Sequence, residues 1–306
     1  MKIVIATEKP FASAAVDGIR EVLDKAGYEL SLLEGYTDRQ ELLGAVKDAD
    51  ALIVRSDIVD KEVINNAENL KIVVRAGAGY DNIDLDACTA GNIVAMNTPG
   101  QNSNAVAELA FGMMVYLARG GYNGKPGTEL KGKTLGIHAY GNVGKCVAKI
   151  AKGFGMDIYA FDPYIDASEL EKDGVKVMTT VEDLYSASQY VSIHIPANDQ
   201  TKGSIGYKLI SLMPANAVLV NTARKEVIKE EELLKAFNER NDFSYISDIA
   251  PDCRNTIESN YEGRYFFTPK KMGAQTAEAN INAGVAAASQ IVAFLEKGDE
   301  TFRVNK

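Results

Sequence analysis

The sequence predicts an α/β protein of two doubly wound parallel-sheet domains, and three observations carry that expectation. Short β-branched runs alternate with helical patterns almost from end to end, the rhythm of parallel sheets wound with helices on both sides. The chain has 306 residues, which suits about two domains of 100–200 residues each. A glycine turn at 138–144, between a strand and a helix, has the form that lets backbone approach a phosphate.

The elements follow in order. The runs at 2–6, 51–54, 71–74 and 93–96 are almost continuously apolar, as strands covered on both faces are. Between the first two lies a helix over 12–26, with Val16, Ile19, Val22 and Leu23 on one face. Asn97-Thr98-Pro99-Gly100 closes a strand and precedes an apolar helix, Ser103–Ala118; the Gly-rich stretch 120–127 is then a loop by composition. Strands resume at 134–137, 157–161, 190–194, 217–221 and 245–249. An Ala-rich helix from about Thr276 to Glu296 suits either a core helix or one between domains. These junctions divide residues 1–97 plus 277–306 from residues 98–276. No short repeat of fixed period points to a solenoid.

Composition narrows the function. There are 33 basic and 42 acidic residues, a net charge of −9. No dense Lys/Arg stripe offers the footprint that nucleic acid needs. An anionic substrate would need a local basic pocket. The longest mostly apolar run, 105–118, is broken by Glu108 and falls short of the ~20 residues of a bilayer span. The first residues read as a strand without signal-peptide layout, so a soluble cytoplasmic protein with no membrane partner is expected. Cys88, Cys146 and Cys253 are odd in number and far apart, which gives neither a disulfide framework nor a metal site. Histidine chemistry has two candidates, His138 and His194.

The turn reads His138-Ala139-Tyr140-Gly141-Asn142-Val143-Gly144. Where the dinucleotide fingerprint has G-x-G-x-x-G, this chain has A-x-G-x-x-G. Gly141 lets backbone approach a pyrophosphate, and Gly144 lets helix and strand pack closely. Asp162, 18 residues after Gly144, ends the next strand and stands where an acid takes the ribose hydroxyls. Its charge would oppose a 2′ phosphate ~4 Å away by about 4 kcal/mol at an effective dielectric of 20. NAD is therefore favoured over NADP.

Several further segments share one pattern: 73–84, Asn97 to Asn102, the cofactor turn, His194-Ile195-Pro196, Val220 to Arg224, Thr268-Pro269 and Gly273-Ala274-Gln275-Thr276. With them the chain resembles the D-2-hydroxyacid dehydrogenase family over essentially its whole length, and within it the phosphoglycerate dehydrogenase branch. The resemblance implies a flavodoxin-like substrate domain made from both chain ends, an inserted Rossmann-like NAD domain, and an active-site cleft between them. It implies NAD-dependent oxidation of D-3-phosphoglycerate to 3-phosphohydroxypyruvate in L-serine biosynthesis, favoured in vitro in the reverse direction. Glyoxylate, hydroxypyruvate or another small 2-hydroxy or 2-keto acid is the alternative substrate. An NAD-sensing, corepressor-like protein is the alternative of another class.

For the site, the resemblance implies that Tyr140, Gly141, Asn142, Val143, Gly144, Asp162, His194, Pro196, Thr222, Ala223 and Asp248 line the NAD site. Arg55, Arg75, Ala76, Gly77, Ala78, Gly79 and Asn102 bind substrate, with simple strand-end solvation the other reading of Arg55. Arg224 orients the substrate carboxylate and carbonyl through a planar fork suited to bidentate contact. The family's acid–base histidine is missing from Thr268-Pro269-Lys270-Lys271-Met272-Gly273. Counting back from Gly273 puts Lys271 at its place; counting forward from Pro269 puts Lys270 there, and the glycine is preferred because it leads directly into the helix. A lysine, with an ordinary pKa of about 10.4, is an acid at neutral pH and can serve if buried beside Arg224. Asp252 is the nearest acid to the family's supporting glutamate. The resemblance further implies a homodimer formed through the NAD domain, at the helix Ser103–Ala118 and its following loop. Since the sequence runs only about thirty residues past Thr276, inhibition by L-serine is not expected.

Overall fold

The computed structural model describes residues 1–305. The chain forms two compact units: the stretch up to Asn102 together with the segment from Gln275 onward, and Ser103–Ala274. The first junction thus falls a few residues later in the chain than the sequence suggests, and the second slightly earlier.

The first unit holds five parallel strands, β1 (Lys2–Thr7), β2 (Glu29–Glu34), β3 (Ala51–Val54), β4 (Ile72–Arg75) and β5 (Val94–Asn97), in the order β2-β1-β3-β4-β5. Alternate residues of the apolar runs serve opposite faces, which is why the runs are continuous. On one face Val4, Ala6, Leu52, Val54, Val73 and Ala95 meet the helices Arg39–Val46, Lys61–Asn66 and Leu85–Ala90, which supply Leu42, Val46, Val63, Ala87 and Cys88 there. On the other face Ile3, Ile5, Ile53, Val74 and Val94 are covered by α1 (Ser13–Lys25) and by the last helix, Ala277–Lys297. The last helix is therefore a core helix of this unit. A Cβ on Gly18 would sit 2.7 Å from Val285 and one on Gly284 2.9 Å from Ile19, so each helix keeps a glycine where the other presses in. Thr276 caps the last helix by accepting from the Ala279 N–H, and Gly298 ends it at φ 66°.

The second unit is a seven-stranded parallel sheet. Its strands are β6 (Thr134–His138), β7 (Asp157–Phe161), β8 (Lys176–Val177), β9 (Tyr190–Ile193), β10 (Val218–Asn221), β11 (Ser244–Ser247) and β12 (Tyr265–Phe267), ordered β12-β11-β10-β9-β6-β7-β8. The order reverses between β6 and β9, the switch point outside whose carboxyl ends such sheets bind ligands. The helices Ser103–Ala118 and Asn142–Gly153 pack on one face through Ala107, Ala110, Met114, Val147 and Ala151. Among the described residues no helix is long and apolar enough to cross a membrane, and no group of acids, histidines and cysteines is placed to hold a metal.

Candidate active site

At the switch point of the second unit, β6 runs into the glycine turn. Ala139 stands at φ 79° and its N–H donates to Phe161 O at 2.9 Å. The chain thus adopts the left-handed turn that glycine usually supplies, with a methyl group as the smallest side chain bearing its strain. A Cβ on Gly144 would lie 2.5 Å from Ala139 O and 3.1 Å from Ile137, which binds helix to turn and excludes any larger residue. Gly141 is different: a Cβ there would meet nothing within 4 Å. It caps the helix Asn142–Gly153 without a side-chain partner for the first-turn N–H groups, so this exposed helix start favours an anion. Asp162 accepts the N–H of Tyr140 at 2.8 Å on one oxygen and that of Tyr164 at 2.9 Å on the other. Each oxygen keeps a lone pair for a hydroxyl. Tyr140 turns its ring into the core and donates to Asp173 at 2.9 Å, so what it offers at the turn is backbone.

The neighbouring strand ends carry His138 and His194. Burial holds both neutral, pulling His138 down to about 4 against the opposing effect of Asp162, and His194 down to about 3 with a further push from His138. His138 Nδ1 lies 3.3 Å from the Tyr185 hydroxyl. His194 Nε2 and the Thr222 hydroxyl are both buried and have no hydrogen-bond partner among the described residues. Pro196 is exposed, and its carbonyl accepts from the Thr201 hydroxyl.

After β10 the chain turns through Thr222-Ala223-Arg224. Asn221, which the sequence reading left without a role, builds this turn: its Oδ1 accepts the Ala223 N–H at 2.9 Å and its Nδ2 donates to Arg224 O at 2.9 Å. A polar residue ending an otherwise apolar strand was the available signal. Arg224 is half-buried, with Nη1 donating to Ala223 O at 3.0 Å.

Asp248, just past β11, is fully buried. Its Oδ1 accepts the Met272 N–H at 2.7 Å and its Oδ2 the Gly273 N–H at 2.8 Å, while the Thr268 hydroxyl donates to its backbone carbonyl at 2.6 Å. A Cβ on Gly273 would lie 3.0 Å from that carboxylate and 3.1 Å from Val106, so a side chain here would have to push its neighbours aside by a few tenths of an ångström. Lys270 and Lys271 between these fixed points are exposed, which corrects the expectation of a buried lysine: a loop pinned at its two ends leaves its middle outside the core. Asp252 is exposed and engaged elsewhere, paired with Lys225 Nζ at 2.5 Å.

In the first unit, Arg55 follows β3 and is not simply solvated. Nη1 donates to the carbonyls of Lys9 and Pro10 at 2.8 and 3.0 Å, Nη2 to Asn280 Oδ1 at 2.8 Å, and the guanidinium lies 5.1 Å from the centre of the Phe11 ring. Arg75 ends β4, and its Nε donates to Arg55 O at 2.8 Å. Gly77, at φ 157°, lets the Arg75 side chain pass where any Cβ would collide with the guanidinium. The following loop is tied to β5 by Thr98 N–H to Gly77 O at 3.0 Å and Asn97 Nδ2 to Ala78 O at 2.6 Å. Ala76 and Gly79 are half-buried, Ala78 is exposed, and Asn102 is half-buried at the unit boundary.

The open space at Gly141, the uncapped helix start, the paired acceptors of Asp162 and the unpartnered buried atoms of His194 and Thr222 together fit a dinucleotide. Residues 100–258 match the NAD binding domain of the D-isomer specific 2-hydroxyacid dehydrogenases. The chain belongs to this family. The matched domain is one that binds NAD. The D-3-phosphoglycerate dehydrogenase of Methanocaldococcus jannaschii is 38% identical to this family member over 290 residues, 89% of this chain and 54% of that protein. The hydroxypyruvate reductase of Thermotoga maritima is 34% identical over 290 residues, 88% of this chain and 92% of that one. The NAD⁺-bound 3-phosphoglycerate dehydrogenase structure from Entamoeba histolytica superposes with a TM-score of 0.87 at 50% identity, covering 100% of this chain and 99% of that one. The chain spans about half the length of the curated phosphoglycerate dehydrogenases it matches.

Proposed function

We propose that this dehydrogenase oxidises D-3-phosphoglycerate to 3-phosphohydroxypyruvate, reversibly, at the start of a route to L-serine. The observation that carries the reading is the 50% identity, along the full length of both chains, to the NAD⁺-bound phosphoglycerate dehydrogenase of Entamoeba histolytica.

The first-turn amides after Gly141 hold the pyrophosphate, Asp162 accepts the ribose hydroxyls, and His194 and Thr222 supply further polar contacts. Bound NAD supplies the hydride acceptor. Arg224, on a turn made rigid by Asn221, grips the substrate carboxylate and steadies the reacting oxygen. Lys271 takes the hydroxyl proton during oxidation and returns it to the carbonyl oxygen during reduction. Arg55 gives a fixed positive charge, and Arg75 a second, for the phosphate of the substrate. The reading carries with it a cytoplasmic homodimer pairing through the NAD-binding unit.

The match to a hydroxypyruvate reductase over 88% of this chain and 92% of that one supports an unphosphorylated keto acid as the second reading. NADH consumption with 3-phosphohydroxypyruvate, hydroxypyruvate and glyoxylate separates the two: a preference for the phosphorylated acid that Arg75→Ala abolishes is expected. Equal turnover of all three acids would favour the second reading, and NADH binding without turnover a regulatory protein. Lys271→Ala should lower kcat by roughly 10²–10⁴, and Lys270→Ala far less. Near-normal turnover in both variants would remove lysine from the mechanism.

A further inference from the structure

We propose that Asn280, in the first turns of the last helix, is a positioning residue that sets the guanidinium of Arg55 for the phosphate of the substrate. The proposal rests on the reading that Arg55 takes that phosphate. Arg55 follows β3 and is half-buried. Its Nη1 donates to the carbonyls of Lys9 and Pro10 at 2.8 and 3.0 Å, and its Nη2 donates to Asn280 Oδ1 at 2.8 Å. The Phe11 ring, its centre 5.1 Å from the guanidinium carbon, attracts the cation through its face. Nε and one N–H of Nη2 are left without an acceptor among the described residues, open to an incoming anion.

Each of these partners is neutral. The two acids whose charge reaches Arg55, Asp57 and Glu34, instead hold the loop that supplies the carbonyls. Asp57 Oδ1 accepts the Glu8 N–H at 2.7 Å and the Tyr36 hydroxyl at 3.0 Å, and Glu34 Oε1 accepts the Phe11 N–H at 2.8 Å. Dipoles and a ring orient the cation, and no carboxylate touches it, so its charge stays available for a charge-assisted bond. Asn280 is the single acceptor on Nη2 among the described residues, and it therefore sets the tilt of the guanidinium plane. Its own orientation is fixed in turn, because Nδ2 donates to Thr276 O at 2.8 Å. A flipped amide would set NH₂ against the arginine N–H and oxygen against the carbonyl. An aspartate of the same shape would hold the arginine equally well but would cancel the charge that the substrate needs.

The test uses Asn280→Leu, Asn280→Asp, Arg55→Ala and the double variant of Arg55→Ala with Asn280→Leu, all in the intact chain. The readouts are KM and kcat for 3-phosphohydroxypyruvate and for hydroxypyruvate, and the guanidinium N–H signals of Arg55 by NMR. Asn280→Leu is expected to raise KM for the phosphorylated acid by about tenfold, the scale of one charge-assisted hydrogen bond. Its kcat should stay within about threefold, since the loss falls on uniform binding. KM for hydroxypyruvate should also stay within about threefold, and the Arg55 signals should merge as the group begins to turn. On the Arg55→Ala background the same substitution should cost nothing more. Asn280→Asp should raise KM for the phosphorylated acid at least as much while the Arg55 signals stay resolved. If KM rises equally for both acids, or kcat falls while both KM values are kept, Asn280 serves the packing of the helix and the proposal falls. Losses that multiply in the double variant, or Arg55 signals unchanged in Asn280→Leu, overturn it as well. An unchanged KM for the phosphorylated acid in Arg55→Ala alone would instead sink the phosphate reading of Arg55, and Asn280 would have nothing to position. Should Asn280→Leu not fold, Asn280→Asp decides: an unchanged KM for the phosphorylated acid there overturns the proposal.

Discussion

Acid should weaken the NAD-binding unit through His138 and His194, well before its carboxylates protonate. Burial pulls His138 to about 4 and His194 to about 3, while both titrate near 6.5 once unfolded. A group whose folded value is depressed stays unprotonated in the folded chain while the unfolded chain takes up the proton. Stability is complete above pH 6.5 and is drained as pH falls toward 4. At pH 5 each histidine costs about 2 kcal/mol. The groups facing His138 are the Tyr185 hydroxyl, His194 and Asp162, and only the last favours the charged form. The perturbation is His138→Leu, which keeps the apolar surroundings of Phe161 and Tyr185. Urea unfolding at pH 7.5 and pH 5 should show the variant losing about 2 kcal/mol less than wild type between the two conditions. Equal losses in both proteins would refute the reasoning, because the acid sensitivity would then lie elsewhere.

Two glycines of the turn should separate folding from ligand binding. Gly144→Ala drives a methyl group into Ala139 O and should cost about 1–3 kcal/mol in stability, read by thermal unfolding. Gly141→Ala meets open space, so stability should hardly move while NADH affinity drops in a fluorescence titration. In the first unit, Gly77→Ala should displace the Arg75 guanidinium, raising KM for the phosphorylated substrate more than for hydroxypyruvate in steady-state assays.

How far the sequence spoke depends on what each residue was asked to do. Continuous apolar runs marked β1, β3, β4 and β5 because both of their faces are buried, and the glycine turn marked β6 and its helix. The edge strands gave no such mark: Glu29–Glu34 is half-exposed along its length, and Lys176–Val177 is only two residues long. At the site, residue types such as Arg224 and Asp162 were legible because their chemistry is local to a strand end. The environment of Lys271 was not, since exposure depends on where the loop is pinned. The contacts of Asp248 were hidden for a plainer reason. Its partners are main-chain N–H groups more than twenty residues downstream, and an amide has no letter in the sequence.

The first unit draws on two stretches separated by the whole of Ser103–Ala274, and this bears on how the chain is made. The apolar face of Ile3, Ile5, Ile53, Val74 and Val94 is closed in part by Ala287, Ala288 and Ile291 of the last helix. Asn305 completes the sheet edge, its side chain accepting from the Ala95 N–H at 2.8 Å and donating to Ile93 O at 2.9 Å. At about 5–20 residues per second of synthesis, that face waits roughly 10–35 s on the ribosome while the second unit emerges and folds. The nascent first half thus leaves uncovered, for that time, the part of the face that α1 does not reach, and a product cut short before residue 277 would keep that part bare.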